Sequence, residues 1–365
     1  MRLFQNRYLI FGATALIVLF LFSTLEPRRR SYSCKTLSSC LWSPQHRYAH
    51  ATTPSEPVLV YSSRTLSDGA EYFERRMLDS EPETLVLVLN KDRSSWSHDF
   101  RSMERSIYDF LDLLVSTGLD FTTVTLGFMT TSVDEFAEMK KASSELPFAR
   151  IVLFYQQDDG PKFAYQERHN PVVQRERRAW IAQLRNYLTL RVLDDEKHIF
   201  WVDADVVEFS SGILQTMLSH TEGREDVGVL TARCQQHLIA SYDKNAWVID
   251  REKAQLLGPV DDEARQNVLQ ELVGSRRYAD ELIKDTNDTE LIPLDSTGGT
   301  LLYIRSDLVR RGLLFPTYNV VGSTWSQEGW IGIETEGLCY AASHMKGGGC
   351  FVLGGDHHIR HADWG

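Results

Sequence analysis

Positive charge is scarce in this chain: 39 Lys and Arg stand against 50 Asp and Glu, a formal net charge of -11. Neutralising a phosphate backbone requires a basic face, so the deficit argues against a nucleic-acid binder. Cysteine is sparse as well. Cys34, Cys40, Cys234, Cys339 and Cys350 are too few for a disulfide scaffold and lack the paired short spacings of a structural zinc site. An oxidising compartment would allow a bridge, and Cys339 with Cys350 is the pair to test first, although buried free thiols fit these residues equally well. A membrane-length apolar run is missing everywhere but near the N-terminus, where Tyr8 to Leu25 carries no charge. That run is long enough to cross a bilayer as a helix. Ser23-Thr24-Leu25-Glu26-Pro27 makes a poor cleavage site, which favours an anchor over a removed signal peptide. Arg2 and Arg7 precede the run and Arg28, Arg29 and Arg30 follow it, so the positive-inside count leans against a luminal C-terminus. Large domains translocate largely regardless of that count.

What is present is an α/β pattern. The hydrophobic content of 42% over 365 residues is enough to fill a sizeable core. Ser31 to Pro57 is rich in Ser, Thr and Pro without apolar periodicity, as in a stem. Thr84 to Leu89, Val124 to Met129 and Ile151 to Tyr155 are short apolar runs typical of buried parallel strands. Between them, Met103 to Leu114 and Val133 to Ser144 recur at helical spacing. A β-α-β-α-β order predicts a parallel sheet with ligands beyond the carboxyl ends of its strands. Lys91 and Asp92 stand at one such end, as a solvated turn or a binding edge. A long helix is predicted from about Val173 to Leu193, with Trp180, Ile181, Leu184, Leu188 and Val192 on one face. Arg175, Arg177, Arg178 and Arg185 could offer it an anion-binding side, with Arg177 better read as an outer charge. Arg185 and Asn186 flank apolar positions and are expected to turn inward.

The apolar strand His198 to Val202 delivers Asp203-Ala204-Asp205 at its carboxyl end. Paired carboxylates there can hold a hard divalent cation against a nucleoside diphosphate. Asp295 to Thr300 places Gly298 and Gly299 before another strand, where a glycine turn lets backbone approach a ligand. Glu334 and Glu336 would face opposite ways on a strand but can share a helix N-terminus, one of them capping it. Asn287-Asp288-Thr289 is an N-glycosylation triplet.

Taken together, Arg168-His169, Gln174 to Arg178, Arg185-Asn186-Tyr187-Leu188, Trp201 to Val207, Tyr242 to Trp247, Asp295 to Thr300 and Ile333 to Gly337 resemble the fungal mannan-polymerase family. These are Golgi α-1,6-mannosyltransferases with a type II membrane anchor. The resemblance implies an α/β glycosyltransferase A (Rossmann-like) nucleotide-sugar-binding fold behind an N-terminal transmembrane helix. Residues 1–7 would form a cytoplasmic tail, 8–25 the anchor, 26–83 a stem and 84–365 the luminal domain. It implies Mn2+ as metal and GDP-mannose as donor, with an N-glycan mannose as acceptor and other subunits of a mannosyltransferase complex as partners. Asp203, Asp205 and a C-terminal histidine, best matched by His361, would ligate the metal. Lys91, Asp92, Arg185, Asn186, Asp203, Gly298 and Gly299 would bind the donor. Asp295, Glu334 and Glu336 would act catalytically in a retaining transfer, positioning groups rather than attacking. The chain departs from the family between Pro316 and Glu334, where its loop is longer, and in its tail, where His357 and His358 compete with His361. Two rival readings are a non-catalytic scaffold subunit and the same fold serving another nucleotide sugar. A metal-dependent phosphoesterase would need more ligands at the strand ends.

Overall fold

The computed structural model describes residues 57–97, 104–157, 160, 171–237, 239–250, 271–317, 320–321, 330–331 and 333–362. The expected anchor, most of the stem, Cys34, Cys40, Arg168, His169, the centre of the long loop and the last three residues lie outside them. Among the described residues no helix is long and apolar enough to cross a membrane.

The chain opens with an antiparallel pair, β1 (Leu59–Thr65) and β2 (Glu71–Met77), followed by β3 (Thr84–Asn90). Helix α1 (Ile107–Ser116) and β4 (Val124–Thr130) come next, then α2 (Val133–Ala142), β5 (Arg150–Tyr155) and the long α3 (Pro171–Val192). After β6 (His198–Val202) come β7 (Val206–Phe209), α4 (Ile213–Gly223), β8 (Val227–Thr231) and β9 (Arg233–Gln235). Short elements follow: β10 (Trp247–Val248), β11 (Arg277–Tyr278), α5 (Ala279–Leu282) and β12 (Leu291–Pro293). The last stretch holds β13 (Leu301–Arg305), α6 (Ser306–Arg310), β14 (Val320–Val321), β15 (Trp330–Ile331), α7 (Glu334–Ser343), β16 (Gly349–Leu353) and β17 (His358–His361).

Ten strands form one sheet in the order β1-β2-β5-β4-β3-β6-β13-β8-β16-β12. Its parallel centre, β5, β4, β3 and β6, is the part the apolar runs predict, because strands buried on both faces carry no polar alternation. The rest is mixed. Strand β13 runs antiparallel to both β6 and β8, and β2 antiparallel to β5. The folded sheet also begins at Leu59 rather than Thr84, so residues 59–83 are part of the domain and not of a stem. Strand β1 hides this from sequence reading because it is an edge strand exposed along nearly its whole length. A second, three-stranded sheet, β7-β17-β9, ties the end of the described chain to its middle.

Helix α3 covers the sheet through Ala182, Arg185, Leu188, Thr189 and Val192, all buried. Trp180, Ile181 and Leu184 are only half-buried, so the inward face is rotated from the one the apolar positions suggest. A polar residue, Arg185, occupies its centre. Close approach is allowed by Gly127 in β4, where an added Cβ would lie 2.6 Å from Leu87 Cδ2 and 3.1 Å from Val192 Cγ1. At the far side of the sheet, the fully buried Arg75 donates to the carbonyls of Ser143, Leu146 and Phe148 and holds that loop in place. Burial pulls its pKa down to about 10, which still leaves it charged. Cys339 in α7 and Cys350 in β16 form a disulfide, with Cα atoms 5.9 Å apart, and Cys234 is a buried free thiol.

Gly127→Ala will therefore destabilise the domain by about 1–3 kcal/mol, the usual cost of overpacking. Urea unfolding will read this as a lower midpoint at unchanged slope.

Candidate functional site

The site forms where β6 and β13 run antiparallel. Val202 pairs with Leu301, so the turn that enters β13 lies against the residues that leave β6. Asp203 donates its backbone N–H to Thr300 O at 3.0 Å, which joins the acidic pair to the glycine turn. The turn is gripped from the other side by Asp243. One carboxylate oxygen of Asp243 accepts from Gly299 N at 3.2 Å and Thr300 Oγ1 at 3.4 Å, and the other from Asn245 N at 2.9 Å. At Gly298 a Cβ would sit 2.6 Å from Asp243 Oδ2, and at Gly299 one would sit 3.1 Å from the Arg185 guanidinium. A side chain at either glycine would press on the Asp243 carboxylate or the Arg185 guanidinium.

Arg185 is the cation of this cluster. Its Nη2 donates to Asp203 Oδ1 at 3.2 Å and to Gly299 O at 3.4 Å, and Nη1 lies 3.9 Å from Glu334 Oε1. The guanidinium also stacks over Trp201 and Phe315, at 5.5 and 5.2 Å from the ring centroids. Asn186, next along α3, is committed to packing: Nδ2 donates to Phe315 O and Oδ1 accepts from Phe315 N, both at 2.8 Å. It thus holds the aromatic floor beneath Arg185.

His361 reaches the site through the small sheet. Strand β17 pairs with β7, setting His361 opposite Val206, and Ala362 N donates to Asp205 O at 2.8 Å. His361 Nε2 lies 2.8 Å from Asp205 Oδ2, and Nδ1 lies 2.7 Å from Ala362 O. Both ring nitrogens therefore face acceptors, which favours the imidazolium. Burial opposes that charge, but the hydrogen bond and charge of Asp205 outweigh it and raise the His361 pKa. Enclosure of its carboxylate in the cluster pushes the Asp203 pKa up to about 7 although part of the side chain stays exposed, with Arg185 opposing and Asp205 adding to the shift. His357 and His358 lie on the same segment, but His358 turns to Glu208 at 3.8 Å.

The other expected residues stand around this centre. Glu334 begins α7 and meets Arg185. Glu336 caps the same helix, accepting from Ile333 N at 3.0 Å, and pairs with Arg276 at 3.2 Å; burial pushes its pKa up and Arg276 opposes the shift. Arg276 in turn lies 4.0 Å over the Trp247 ring. Asp295 Oδ2 accepts from Ile249 N at 2.9 Å. Lys91 and Asp92 follow β3, the parallel neighbour of β6, and so stand at the same end of the sheet. Asp92 caps the short 3-10 turn Arg93–Trp96, while the Lys91 side chain is exposed. Spacing in the sequence gives Asp243, Arg276 and Thr335 no role, and only the motifs Tyr242 to Trp247 and Ile333 to Gly337 contain the first and the last of them.

Among the described residues no group of three or more His, Cys, Asp and Glu side chains is arranged as a ready-made metal site. The chemistry nonetheless leaves room for one. Asp205 Oδ1, Arg185 Nη1 and Thr335 Oγ1 are buried polar atoms without a hydrogen-bond partner among the described residues. An unspent carboxylate oxygen suits a cation, and an unspent guanidinium N–H suits an anionic oxygen. Asp203 and Asp205 thus fit a divalent ion, whereas His361 would have to exchange Asp205 for it.

Arg185→Met will destabilise the domain by roughly 2 kcal/mol. That is less than the ~3–5 kcal/mol for breaking a fully buried pair, because the Asp203 side chain is 40% exposed. Chemical denaturation at neutral pH checks the value.

The profile of the Anp1 family matches residues 80–319. The mannan polymerase complex subunit mnn9 of Schizosaccharomyces pombe is 29% identical over 215 residues, which cover 53% of this chain and 62% of that protein. The mannan polymerase complex subunit MNN9 of Candida albicans is 27% identical over 270 residues, covering 71% and 70%. Among solved structures, the mannosyltransferase PcManGT from Pyrobaculum calidifontis, in complex with GDP-Man and Mn2+, superposes with a TM-score of 0.43 at 13% identity over 78% of this chain and 58% of its own. This chain thus spans less than two thirds of the fission-yeast relative. With the profile covering well over half of its length, the chain belongs to the Anp1 family, that of the fungal mannan-polymerase subunits.

Proposed function

We propose that this protein is a metal-dependent, retaining mannosyltransferase with a glycosyltransferase A fold. It transfers mannose from GDP-mannose to a mannose hydroxyl of an N-glycan, extending an α-1,6 backbone, as one subunit of a Golgi mannan polymerase held by a single N-terminal type II anchor. The observation that carries the reading is the paired vacancy of hydrogen-bonding capacity at the strand ends. Among the described residues, Asp205 Oδ1 has no donor and Arg185 Nη1 no hydrogen-bond acceptor in the same buried cluster. A diphosphate bound with a divalent cation satisfies both, and the family and the names of the relatives favour GDP-mannose as its source.

Asp203 and Asp205 would hold Mn2+, with His361 as the third candidate ligand. When bound, the ion neutralises charge that develops on the departing diphosphate. Arg185 offers the diphosphate its unspent N–H while Asp203, Gly299 O and the Trp201 and Phe315 rings fix its orientation. The Gly298-Gly299 turn brings backbone close to the donor. Asp295 and Glu336 already accept from Ile249 and Ile333 backbone N–H groups, which suits positioning better than nucleophilic attack. Of Asp295, Glu334 and Glu336, Glu334 is the one that meets Arg185 and is the carboxylate suited to orient the acceptor. These assignments favour front-face attack over a covalent intermediate.

The rival scaffold reading draws on the Asp205–His361 pair, which closes one carboxylate oxygen to a metal. Calorimetry on folded protein separates the two. Wild-type protein will bind GDP in a manganese-dependent manner, and Asp205→Ala will abolish that binding and transfer while leaving the circular dichroism spectrum intact. His361→Ala will weaken both about 10- to 100-fold, the range for disrupted support of a metal, with His358→Ala as control. Undiminished GDP binding by folded Asp205→Ala protein removes the proposal.

A further inference from the structure

Asn287-Asp288-Thr289 is the one Asn-X-Ser/Thr triplet in the sequence. It forms the turn between α5 and β12, and Asn287, Asp288, Thr289 and Glu290 are all exposed. The turn is rigidly seated. Thr286 Oγ1 accepts from Gly355 N at 2.9 Å, Asp288 Oδ1 from Asp356 N at 2.8 Å, and Glu290 O from Gly354 N at 2.9 Å. Gly355, at φ +64, is required there, since a Cβ would collide with Asp288 Oδ1. Thr286, Asp288 and Glu290 O thus face the 354–356 loop, while Asn287 and Thr289 are exposed and bonded within the turn itself.

We propose that Asn287 carries an N-linked glycan, an assignment that rests on the luminal placement of the domain. The local chemistry accommodates it. Asn287 Oδ1 accepts from Thr289 N at 3.0 Å and Thr289 Oγ1 at 2.5 Å, and Nδ2 donates to Glu290. Joining the anomeric carbon of the sugar to Nδ2 forms a C–N bond, displaces the lipid-diphosphate leaving group of the glycosyl donor and releases one amide proton. The product is a secondary amide that keeps one N–H for Glu290 and leaves Oδ1 untouched, so the turn survives modification. The sugar would stand just before β12, the three-residue strand at one edge of the large sheet. A bulky hydrated group beside it would block edge-to-edge pairing with another chain.

The test is made on the full chain, expressed in a eukaryotic secretory host with a short C-terminal extension that carries its own acceptor triplet. Peptide N-glycosidase treatment followed by mass spectrometry reads each site, because release of the glycan converts Asn to Asp. Expected is a glycan at both sites, the one at Asn287 lost in Asn287→Gln and Thr289→Ala and retained in Thr289→Ser. A glycan on the extension with none on Asn287 overturns this proposal and leaves the luminal placement standing. No glycan at either site overturns the placement, and the proposal with it.

Discussion

A single buried guanidinium ties the site together. Arg185 enters from α3, yet its partners come from three other places: Asp203 after β6, Gly299 before β13 and Glu334 at the head of α7. A cation in such surroundings is tolerable only where carboxylates and carbonyls meet it, so its presence constrains the spacing of all four elements. The aromatic rings of Trp201 and Phe315 close the remaining sides, and Asn186 fixes Phe315 by two backbone hydrogen bonds. Gly299 follows from this arrangement, since a side chain there would press on the guanidinium.

A second constraint is set by strand direction. Because β13 is antiparallel to β6, the start of one lies beside the end of the other, and the acidic pair and the glycine turn become neighbours without any long loop. Asp243 then locks the turn by accepting from Gly299 and Thr300. The small β7-β17-β9 sheet does the same for His361, carrying it to Asp205 from the far end of the chain. The result concentrates charge of both signs while leaving an Asp205 oxygen and an Arg185 nitrogen without a hydrogen bond among the described residues. Such a cluster is costly to a stable fold, and binding sites are where that cost is tolerated.

The parallel centre of the sheet was legible in Thr84 to Leu89, Val124 to Met129 and Ile151 to Tyr155, because strands covered on both faces must be apolar throughout. So was the arrival of Asp203 and Asp205 at a strand end, since Phe200-Trp201-Val202 is too apolar for a surface loop. The inward turn of Arg185 followed from its apolar neighbours, whereas the spacing of Glu334 and Glu336 allowed a strand or a helix start and the structure shows the latter. Strands β1 and β2 were not legible, because an exposed edge strand has no period against a core to reveal it. Nor was the true inward face of α3, which is centred on an arginine and so defeats a count of apolar positions.

By itself, then, the sequence determined the elements and their chemistry: which runs are buried, where carboxylates and glycines interrupt them, and which family the ordered motifs resemble. Only the tertiary structure decided which of those groups meet. That β13 runs against β6, that His361 rather than His358 faces Asp205, and that Asp243 clamps the glycine turn all depend on pairings between residues far apart in the chain. Local propensity carries no information about such pairings, because strand direction and register are settled by the collective burial of the sheet. Asn186 shows the difference most plainly: its inward direction was readable from its neighbours, but its commitment to Phe315 instead of a ligand was not.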